Sequence, residues 1–298
     1  MALAAPNAQQ SATPLPRRIL GRSGQPVTIF GLGGEGVLRT HGREAEAMAV
    51  IQRALQQGVN YFETAPAYAS SMDYYGLALG DHRPEIFLAS KTHDRSCDGS
   101  LRLLDDSLRR LRTDYLDLWQ LHDLRSENDL SRIFGKGGAM KALLQARAEG
   151  RVRYLGITGH HDPAILLKAI KEFDFDTVLV ALNAADVHRL SFRDSVLPEA
   201  GRRNMGIVGM KSTAQGELLR RGAVTMAEAF GYVLSLPAVS TVVIGCKSPA
   251  EVDENAGIAR QFTALTDEQM RELERRTEAN AEEFTYYKRP AASFLWQA

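Results

Sequence analysis

The stretch IFLASKTHDRSCDGSLRLLDDSLRRLRTDYLDLWQL, residues 86–121, decides the fold because it holds one strand, one helix and the next strand. Residues 86–91 and 115–121 are short apolar runs, which are typical of buried strands. Between them, leucines recur at helical spacing over 98–112 and predict an amphipathic helix. Two strands joined by a helix predict parallel neighbours in one sheet, because a return to a parallel neighbour needs a crossover.

This unit recurs along most of the chain. The apolar runs that predict strands are 27–32, 59–63, 86–91, 115–121, 152–157, 177–182, 206–211 and 240–245. The stretches that predict helices are 44–57, 73–79, 98–112, 139–149, 163–172, 194–203, 224–235 and 249–260. Eight strand-then-helix units predict a closed (β/α)8 TIM barrel, an α/β fold, because a doubly wound sheet would use about six strands and leave two units over.

Domain organisation follows from the length of 298 residues, which suits two ordinary domains or one large one. No Pro/Gly/Ser-rich linker or composition break divides the middle of the chain, so we expect a single barrel domain over 17–298. An extra C-terminal helix is predicted near 266–280. Residues 1–16 lack the features of a signal peptide and predict a disordered lead-in.

Composition excludes several classes of function. With 44% apolar and 24% charged residues, the chain is neither disordered nor fibrous. Lys plus Arg (36) balances Asp plus Glu (36), so no net charge favours nucleic acid or an anionic membrane, and a small molecule is the expected partner. Two cysteines, Cys97 and Cys246, cannot form a disulfide framework, and they indicate a reducing, cytoplasmic location.

The string GLGGEG at 31–36 matches the glycine pattern of a dinucleotide-binding turn and follows a predicted strand. In a dinucleotide fold the third glycine opens a helix, whereas here Gly42 interrupts the chain before a helix can start. We therefore interpret 31–36 as a tight turn at a strand end.

Polar residues lie where the predicted strands end. Glu63 ends the second strand, Lys91 the third and Lys211 the seventh, while His122 lies just past the fourth. Tyr68 follows in the loop after the second strand. In a barrel these ends converge on the face that carries the active site. Each residue alone could serve packing or ion pairing, but together they predict one pocket.

These residues also carry a resemblance to the aldo-keto reductase family. The motifs are FETAPAY (62–68), a Gly-x-Ala-Leu-Gly element (76–80), LASK (88–91), LDLWQLH (116–122) and IGCKSPAEVDEN (244–255). They occur in the family's order, within a resemblance that extends from about Arg17 to Asn280.

The resemblance implies NAD(P)H-dependent interconversion of an aldehyde or ketone and its alcohol by hydride transfer, without a metal. Tyr68 would be the general acid and base, and Lys91 would favour the phenolate that remains. Glu63 would hold Lys91, and His122 would orient the carbonyl oxygen. The family has Asp where this chain has Glu63. We hypothesise that Glu63 reaches Lys91 through a different rotamer, with activity reduced or differently tuned.

The resemblance also implies cofactor-binding residues. After the fifth strand the family's Ser-Asn pair corresponds to Thr158 and a glycine, and His160 could replace the missing amide. His160 and His161 otherwise suggest a solvated loop or a helix lead-in. The family's glutamine falls at Leu179, which leaves Asn183 as the nearest amide.

The remaining implied contacts are Gly34, Met210, Lys211, Ser212, Gly216, Gly245, Lys247, Glu251 and Asn255. The carboxylate of Glu251 favours a 2′-hydroxyl over a 2′-phosphate, whereas Lys247 could neutralise a phosphate. The balance slightly favours NAD over NADP and leaves the choice undecided. The tail 288–298, with Phe294 and Trp296, could cover the substrate pocket or pack on a partner chain.

Three alternatives remain open. A Schiff-base aldolase could use Lys91 or Lys211. A metal-dependent hydrolase could use His122, His160 and His161, but the sequence offers no carboxylate set to complete a metal site, and none is predicted. A nucleotide-binding regulatory protein without turnover is the non-enzymatic alternative. The substrate and the oligomeric state are not specified by the sequence.

Overall fold

The computed structural model describes residues 13–289, and their centre is a closed barrel of parallel strands. A short antiparallel pair comes first, β1 (Arg17–Ile19) and β2 (Pro26–Thr28). The barrel strands follow as β3 (Phe30–Gly33), β4 (Tyr61–Glu63), β5 (Phe87–Thr92), β6 (Leu116–Leu121), β7 (Val152–Gly159), β8 (Thr177–Ala181), β9 (Gly206–Met210) and β10 (Val239–Ile244). Strand β10 pairs with both β9 and β3 and closes the ring.

Helices surround this barrel. They are α1 (Glu44–Gln56), α2 (Ser71–Ala78), α3 (Cys97–Leu111), α4 (Glu127–Phe134), α5 (Ala139–Ala148), α6 (Pro163–Glu172), α7 (Phe192–Arg202), α8 (Glu217–Arg220), α9 (Met226–Ser235), α10 (Pro249–Arg260), α11 (Asp267–Glu278) and α12 (Ala281–Phe284). Helix α3 begins at the cap Ser96, whose side chain accepts a hydrogen bond from the Gly99 amide. Its buried face includes Leu104 and Leu111.

The predicted TIM barrel is confirmed, and each predicted strand and helix has an observed counterpart. Several short elements differ from the sequence-based prediction. The run 27–32 divides into the end of β2 and the start of β3, because β2 pairs with β1 and only β3 enters the barrel. The sequence also does not predict strand β1 or the short helices α4, α8 and α12.

Side-chain alternation places the polar residues above the barrel core. Alternate residues of a strand point to the same face, so Tyr61 and Glu63 share the barrel interior, as do Phe87 and Lys91. The rings of Tyr61 and Phe87 stack at 5.4 Å inside the barrel. Leu20, from the loop between β1 and β2, joins the same interior cluster. This apolar interior is therefore closed at its amino-terminal end, with the charged residues at the opposite end.

The two ends of the chain are described in part. Residues 13–16, which the sequence assigns to the lead-in, contact the barrel: Leu15 is buried, and the Pro16 carbonyl accepts a hydrogen bond from the Ile29 amide at 3.0 Å. Residues 1–12 and most of the predicted tail, 290–298, lie outside the described residues. No helix within residues 13–289 is long and apolar enough to cross a bilayer.

Candidate active site

Lys91 is the centre of a buried contact network at the carboxyl ends of β4 and β5. Its Nζ donates to Glu63 Oε1 at 2.6 Å and to the Thr64 carbonyl at 3.0 Å. The same Nζ lies 3.5 Å from the Tyr68 hydroxyl. The expected Glu63–Lys91 pair is therefore formed despite the longer side chain. The structure brings Glu63, Tyr68 and Lys91 together as the sequence predicts.

Burial controls the protonation of this network. It lowers the pKa of the Lys91 ammonium, and the Glu63 carboxylate opposes that shift. Burial also raises the pKa of the Tyr68 phenol well above its ordinary value, with smaller contributions from Glu63 and Glu35. The sequence suggests a phenol made more acidic by its cation; in the structure, burial and the carboxylates outweigh this effect. Tyr68 is therefore protonated at neutral pH.

His122 completes the predicted group from the end of β6. Its ring meets the Tyr68 ring edge to face, with centroids 5.7 Å apart. Burial, followed by the charge of Lys91, lowers the pKa of His122 well below its ordinary value. The imidazole is therefore uncharged at neutral pH. Its Nδ1 has no hydrogen-bond partner among residues 13–289. A neutral imidazole retains one N–H that can donate to an oxygen.

A narrow cavity above these residues, here called the inner pocket, is lined by eight residues with polar side chains and by two apolar ones. Its lining residues are Glu35, Arg39, Tyr68, Lys91, His122, Thr158, His160, Leu179, Met210 and Lys211. The Thr158 hydroxyl accepts a hydrogen bond from the Asp123 amide at 2.9 Å and keeps its own proton available. Leu179, where the resemblance expects glutamine, gives this wall an apolar patch.

A second cavity of about 800 Å³, here called the outer cleft, shares Tyr68 and Met210 with the inner pocket. The predicted cofactor residues on its wall are Met210, Lys211, Ser212, Gly216, Gly245, Lys247, Glu251 and Asn255. Buried Asn255 has an Oδ1 that accepts no hydrogen bond from the described residues. At Gly216, with φ +90°, an added Cβ would meet no other atom within 4 Å, so the space beside this glycine is open. The size of the cleft, its cations and the Asn255 acceptor fit a dinucleotide.

Two predicted cofactor residues do not reach either cavity wall. Asn183 donates to the Lys211 carbonyl at 3.0 Å and to the Tyr287 hydroxyl at 2.9 Å, and its Oδ1 accepts from the Ala185 amide. With its amide fully used, Asn183 positions the Lys211 backbone and is not available to a ligand. Gly34 lies against α2, where an added Cβ would come within 2.4 Å of the Ser71 hydroxyl. Gly34 therefore packs against α2 and lines neither cavity.

Glu251 has a structural role that the sequence analysis did not include. Its Oε2 accepts the Lys247 amide at 2.7 Å, next to the cap Ser248 of α10. The carboxylate therefore satisfies a backbone donor at the helix start, where negative charge is favourable. Glu254 also lines the outer cleft. Arg276, which the sequence analysis did not select, adds a cation to the same wall.

The loop after β3 contributes two charged residues that the sequence analysis missed. Glu35 and Arg39 form an ion pair at 2.8 Å, and the Arg39 guanidinium lies 5.2 Å from the centre of the Tyr68 ring. Glu35 falls inside the glycine string 31–36. Their position after a barrel strand was a usable signal, because functional loops of this fold follow the strand ends.

The turn that the sequence predicts over 31–36 occupies only the second half of the glycine string, because residues 31–33 belong to β3. A short 3-10 helix at Gly36–Arg39 follows β3, with no α-helix opening at the third glycine. The Val37 amide donates to the Cys246 carbonyl at 3.1 Å. Gly245 allows this approach, since a Cβ there would lie 2.7 Å from Glu35 atoms. The turn therefore joins the β3 and β10 loops beside the outer cleft.

The loop after β7 is buried, contrary to the expectation of a solvated histidine pair. His160 and His161 are both less than 10% exposed and contact buried Asp123 from the β6 loop. Burial lowers the pKa of His161 to about 4 and that of His160 well below its ordinary value. The helix lead-in is confirmed, because Asp162 caps α6.

A model of the aldo/keto reductase family matches residues 29–226, a span that includes Tyr68, Lys91 and His122. The chain belongs to the aldo/keto reductase family. It is accordingly an oxidoreductase of the kind that interconverts carbonyl compounds and alcohols with a nicotinamide cofactor.

Named relatives of this aldo-keto reductase include dehydrogenases. L-galactose dehydrogenase of Arabidopsis thaliana is 26% identical over 294 residues, covering 85% of this chain and 91% of that protein. Pyridoxal 4-dehydrogenase of Microbacterium luteolum is 26% identical over 314 residues, covering 80% and 91%. A solved aldo-keto reductase of Bacillus halodurans in its holo form shares the fold, with a TM-score of 0.75 at 24% identity, over 88% of this chain and 96% of that one.

Proposed function

We propose that this aldo-keto reductase interconverts small polar aldehydes or ketones and their alcohols, with Tyr68 as general acid and base. The observation that carries the proposal is the contact of the Lys91 ammonium with both Glu63 (2.6 Å) and the Tyr68 hydroxyl (3.5 Å). Tyr68 borders the inner pocket and the outer cleft, so it stands where the two ligands would meet.

The side chains supply the proton chemistry. Tyr68 keeps its proton at neutral pH and can deliver it to a carbonyl oxygen, leaving a phenolate that the Lys91 ammonium stabilises. Neutral His122 can donate a hydrogen bond to the same oxygen and orient it toward Tyr68. Glu63 holds the ammonium in place. A nicotinamide cofactor, when bound, supplies or accepts the hydride.

The outer cleft would hold the cofactor. Lys211, Ser212 and Lys247 can meet the pyrophosphate, and Asn255 has a free acceptor for the adenine amine. Glu251 and Glu254 add negative charge to the same wall. We therefore propose a modest preference for NADH over NADPH, because carboxylates repel a 2′-phosphate and accept from a 2′-hydroxyl.

The substrate class rests on the inner pocket. Four side chains around Tyr68 carry hydrogen-bonding groups, namely those of Glu35, Arg39, Thr158 and His160. A site that hydrogen-bonds a substrate hydroxyl gives a higher kcat/KM for substrates that carry the hydroxyl than for those that lack it. The relatives named above are dehydrogenases of a sugar and of pyridoxal, which are both small and polar. Both cysteines are free and buried, as expected in a reducing compartment, and we propose a cytoplasmic location.

Turnover of the purified full chain tests this proposal. Oxidation of NADH or NADPH is measured with aldehydes of equal chain length, with and without hydroxyl groups. We expect turnover, with higher kcat/KM for the hydroxylated members. Tight nucleotide binding without turnover of any aldehyde or ketone would instead support a nucleotide-binding regulatory protein. Borohydride trapping of substrate on Lys91 or Lys211 without nicotinamide would support an aldolase.

Replacement of Glu251 by Gln tests the cofactor preference. Gln retains an oxygen that can accept the Lys247 amide but removes the charge. We expect kcat/KM for NADPH relative to NADH to rise by about fivefold, because a partly exposed charge interaction is worth up to about 1 kcal/mol. Glu282→Gln, on an exposed carboxylate outside the cleft lining, is the matched control. An unchanged cofactor ratio in Glu251→Gln contradicts the assigned role.

Replacement of Glu63 by Gln tests the charge of the buried pair. Burial already lowers the pKa of Lys91, and Glu63 opposes this effect. Loss of the carboxylate should lower the pKa of Lys91 further, so the ammonium is lost at lower pH. We expect the alkaline limb of kcat for carbonyl reduction to move down by about 1–3 pH units. If the alkaline limb of kcat in Glu63→Gln stays at the pH of wild type, Glu63 does not control the charge of Lys91.

Glu63→Asp is the control that keeps the charge, and its alkaline limb should stay near that of wild type. This variant also tests the Glu63 hypothesis. Carbonyl reduction by Glu63→Asp that is equal to or below wild type, with intact folding, would show that the longer side chain does not impair the geometry.

A further inference from the structure

A buried group of three potential metal ligands lies beside the inner pocket, and two of them, Asp123 and His161, have no part in the function proposed above. Asp123 follows β6, while His160 and His161 follow β7, the neighbouring strand. The Nε2 atoms of both histidines lie 3.5 Å from the same oxygen, Asp123 Oδ1. All three ligand atoms fall within 4.8 Å of one another.

Neighbouring groups use every other polar atom of Asp123. Its amide donates to the Thr158 hydroxyl at 2.9 Å, and its carbonyl accepts from the Arg95 guanidinium at 2.9 Å. Oδ2 accepts from Arg125 Nε at 2.6 Å. Oδ1 accepts no hydrogen bond from residues 13–289, although the side chain is fully buried. Such a lone buried oxygen is costly unless something binds it.

The backbone at Asp123 also holds the side chain in this position. Its φ of +55° lies in the left-handed region, which costs a non-glycine residue about 1 kcal/mol or more. His161 Nε2 likewise has no hydrogen-bond partner among the described residues and is buried. Two unsatisfied buried atoms, a carboxylate oxygen and an imidazole nitrogen, therefore face each other across 3.5 Å.

A separation of 3.5 Å is longer than an ordinary hydrogen bond and suits two ligands of one metal ion. Zinc binds imidazole nitrogen and carboxylate oxygen at about 2.0–2.2 Å, and tetrahedral angles then separate neighbouring ligand atoms by about 3.4 Å. Imidazole nitrogen is a metal ligand, and the Nε2 atoms of both histidines lie on the side of Asp123 Oδ1. Two histidines with one carboxylate form a common set for Zn²⁺ and related divalent ions.

We propose that Asp123, His160 and His161 bind one divalent transition-metal ion of the Zn²⁺ type, with a water molecule at the remaining position. His160 also lines the inner pocket, so the ion would lie behind the wall that faces Tyr68. The Arg125 guanidinium on Oδ2 reduces the affinity without occupying Oδ1. The site does not depend on the proposed reductase chemistry, because none of its three residues belongs to the group formed by Glu63, Tyr68, Lys91 and His122.

The test is a Zn²⁺ titration of metal-free full-length protein, followed by calorimetry and by thermal unfolding. We expect one ion per chain and a rise in Tm with Zn²⁺, because a ligand that binds the folded state stabilises it. In His161→Gln the Zn²⁺ affinity should fall by at least about 100-fold. Loss of a group that only hydrogen-bonds a metal ligand already costs up to about 100-fold, and His161 is itself a ligand in this proposal. His82→Gln, which removes a half-exposed histidine outside this group of ligands, should match wild type.

Circular dichroism and nucleotide binding establish that His161→Gln is folded. The absence of saturable Zn²⁺ binding by wild type would overturn the proposal. Binding by His161→Gln with wild-type affinity and stoichiometry would also overturn it, since the ion would then lie elsewhere. Neither result depends on turnover, so failure of the metal site and failure of the reductase proposal are separate outcomes.

Discussion

Replacement of Tyr68 by Phe is expected to lower kcat for carbonyl reduction by about 10³-fold, a loss of about 4 kcal/mol of transition-state stabilisation. The substitution removes the hydroxyl that lies 3.5 Å from Lys91 Nζ and leaves the ring beside His122 and Arg39. Packing is therefore preserved, and NADH affinity should stay close to wild type. Steady-state kinetics and fluorescence titration of NADH measure the two effects separately.

Tyr115→Phe is the matched control. Its ring contacts the guanidinium groups of Arg83 and Arg153 and lines neither cavity, and those ring contacts survive the change. We expect wild-type kcat for this variant. A decrease of less than about tenfold in Tyr68→Phe would show that another group, or water, delivers the proton.

The barrel was predictable because its strands are buried on both faces and read as continuous apolar runs. The central site was predictable for a related reason. Glu63, Lys91 and His122 end or follow strands, and a closed barrel brings such ends together whatever their separation in sequence. The Gly36–Arg39 turn was predictable from local context, since Gly42 excludes the helix that a dinucleotide fold needs.

The errors concern residues whose role depends on distant partners. The resemblance assigns Asn183 to the cofactor as the amide nearest to the position of the family's glutamine, but Asn183 donates to the hydroxyl of Tyr287, 104 residues later in the chain. His160 and His161 suggested a solvated loop, but Asp123 and the Tyr287 ring bury this segment. Periodicity and spacing indicate local structure, so they do not predict contacts between loops that are distant in the sequence.

Short elements were missed for a different reason. The strands β1 and β2 contain three residues each, and α4 contains eight, fewer than the length at which periodicity separates helix from strand. Their stability comes from packing on the barrel. Leu20, in the loop between β1 and β2, is fully buried in the barrel interior. The sequence of that loop has no periodicity that predicts this burial.

Replacement of Lys91 by Met is expected to remove almost all activity and to destabilise the fold by about 3–5 kcal/mol. The ammonium is fully buried and donates to Glu63 and to the Thr64 carbonyl. Met fills similar volume without the charge, so the loss reflects an uncompensated carboxylate in the interior. We expect kcat to fall by at least about 10²-fold, because the phenolate of Tyr68 then loses the ammonium that lies 3.5 Å from its oxygen.

A second variant identifies the cause of this loss. In Lys91→Met the buried carboxylate of Glu63 has lost the ammonium that lies 2.6 Å away, and this uncompensated charge is the expected source of the lower free energy of unfolding. The double variant Glu63→Gln/Lys91→Met removes the charge and should regain most of the stability at pH 8 while remaining inactive. Denaturant unfolding of both variants at pH 8 measures this, and a single variant as stable as wild type would show that the pair contributes nothing to the fold.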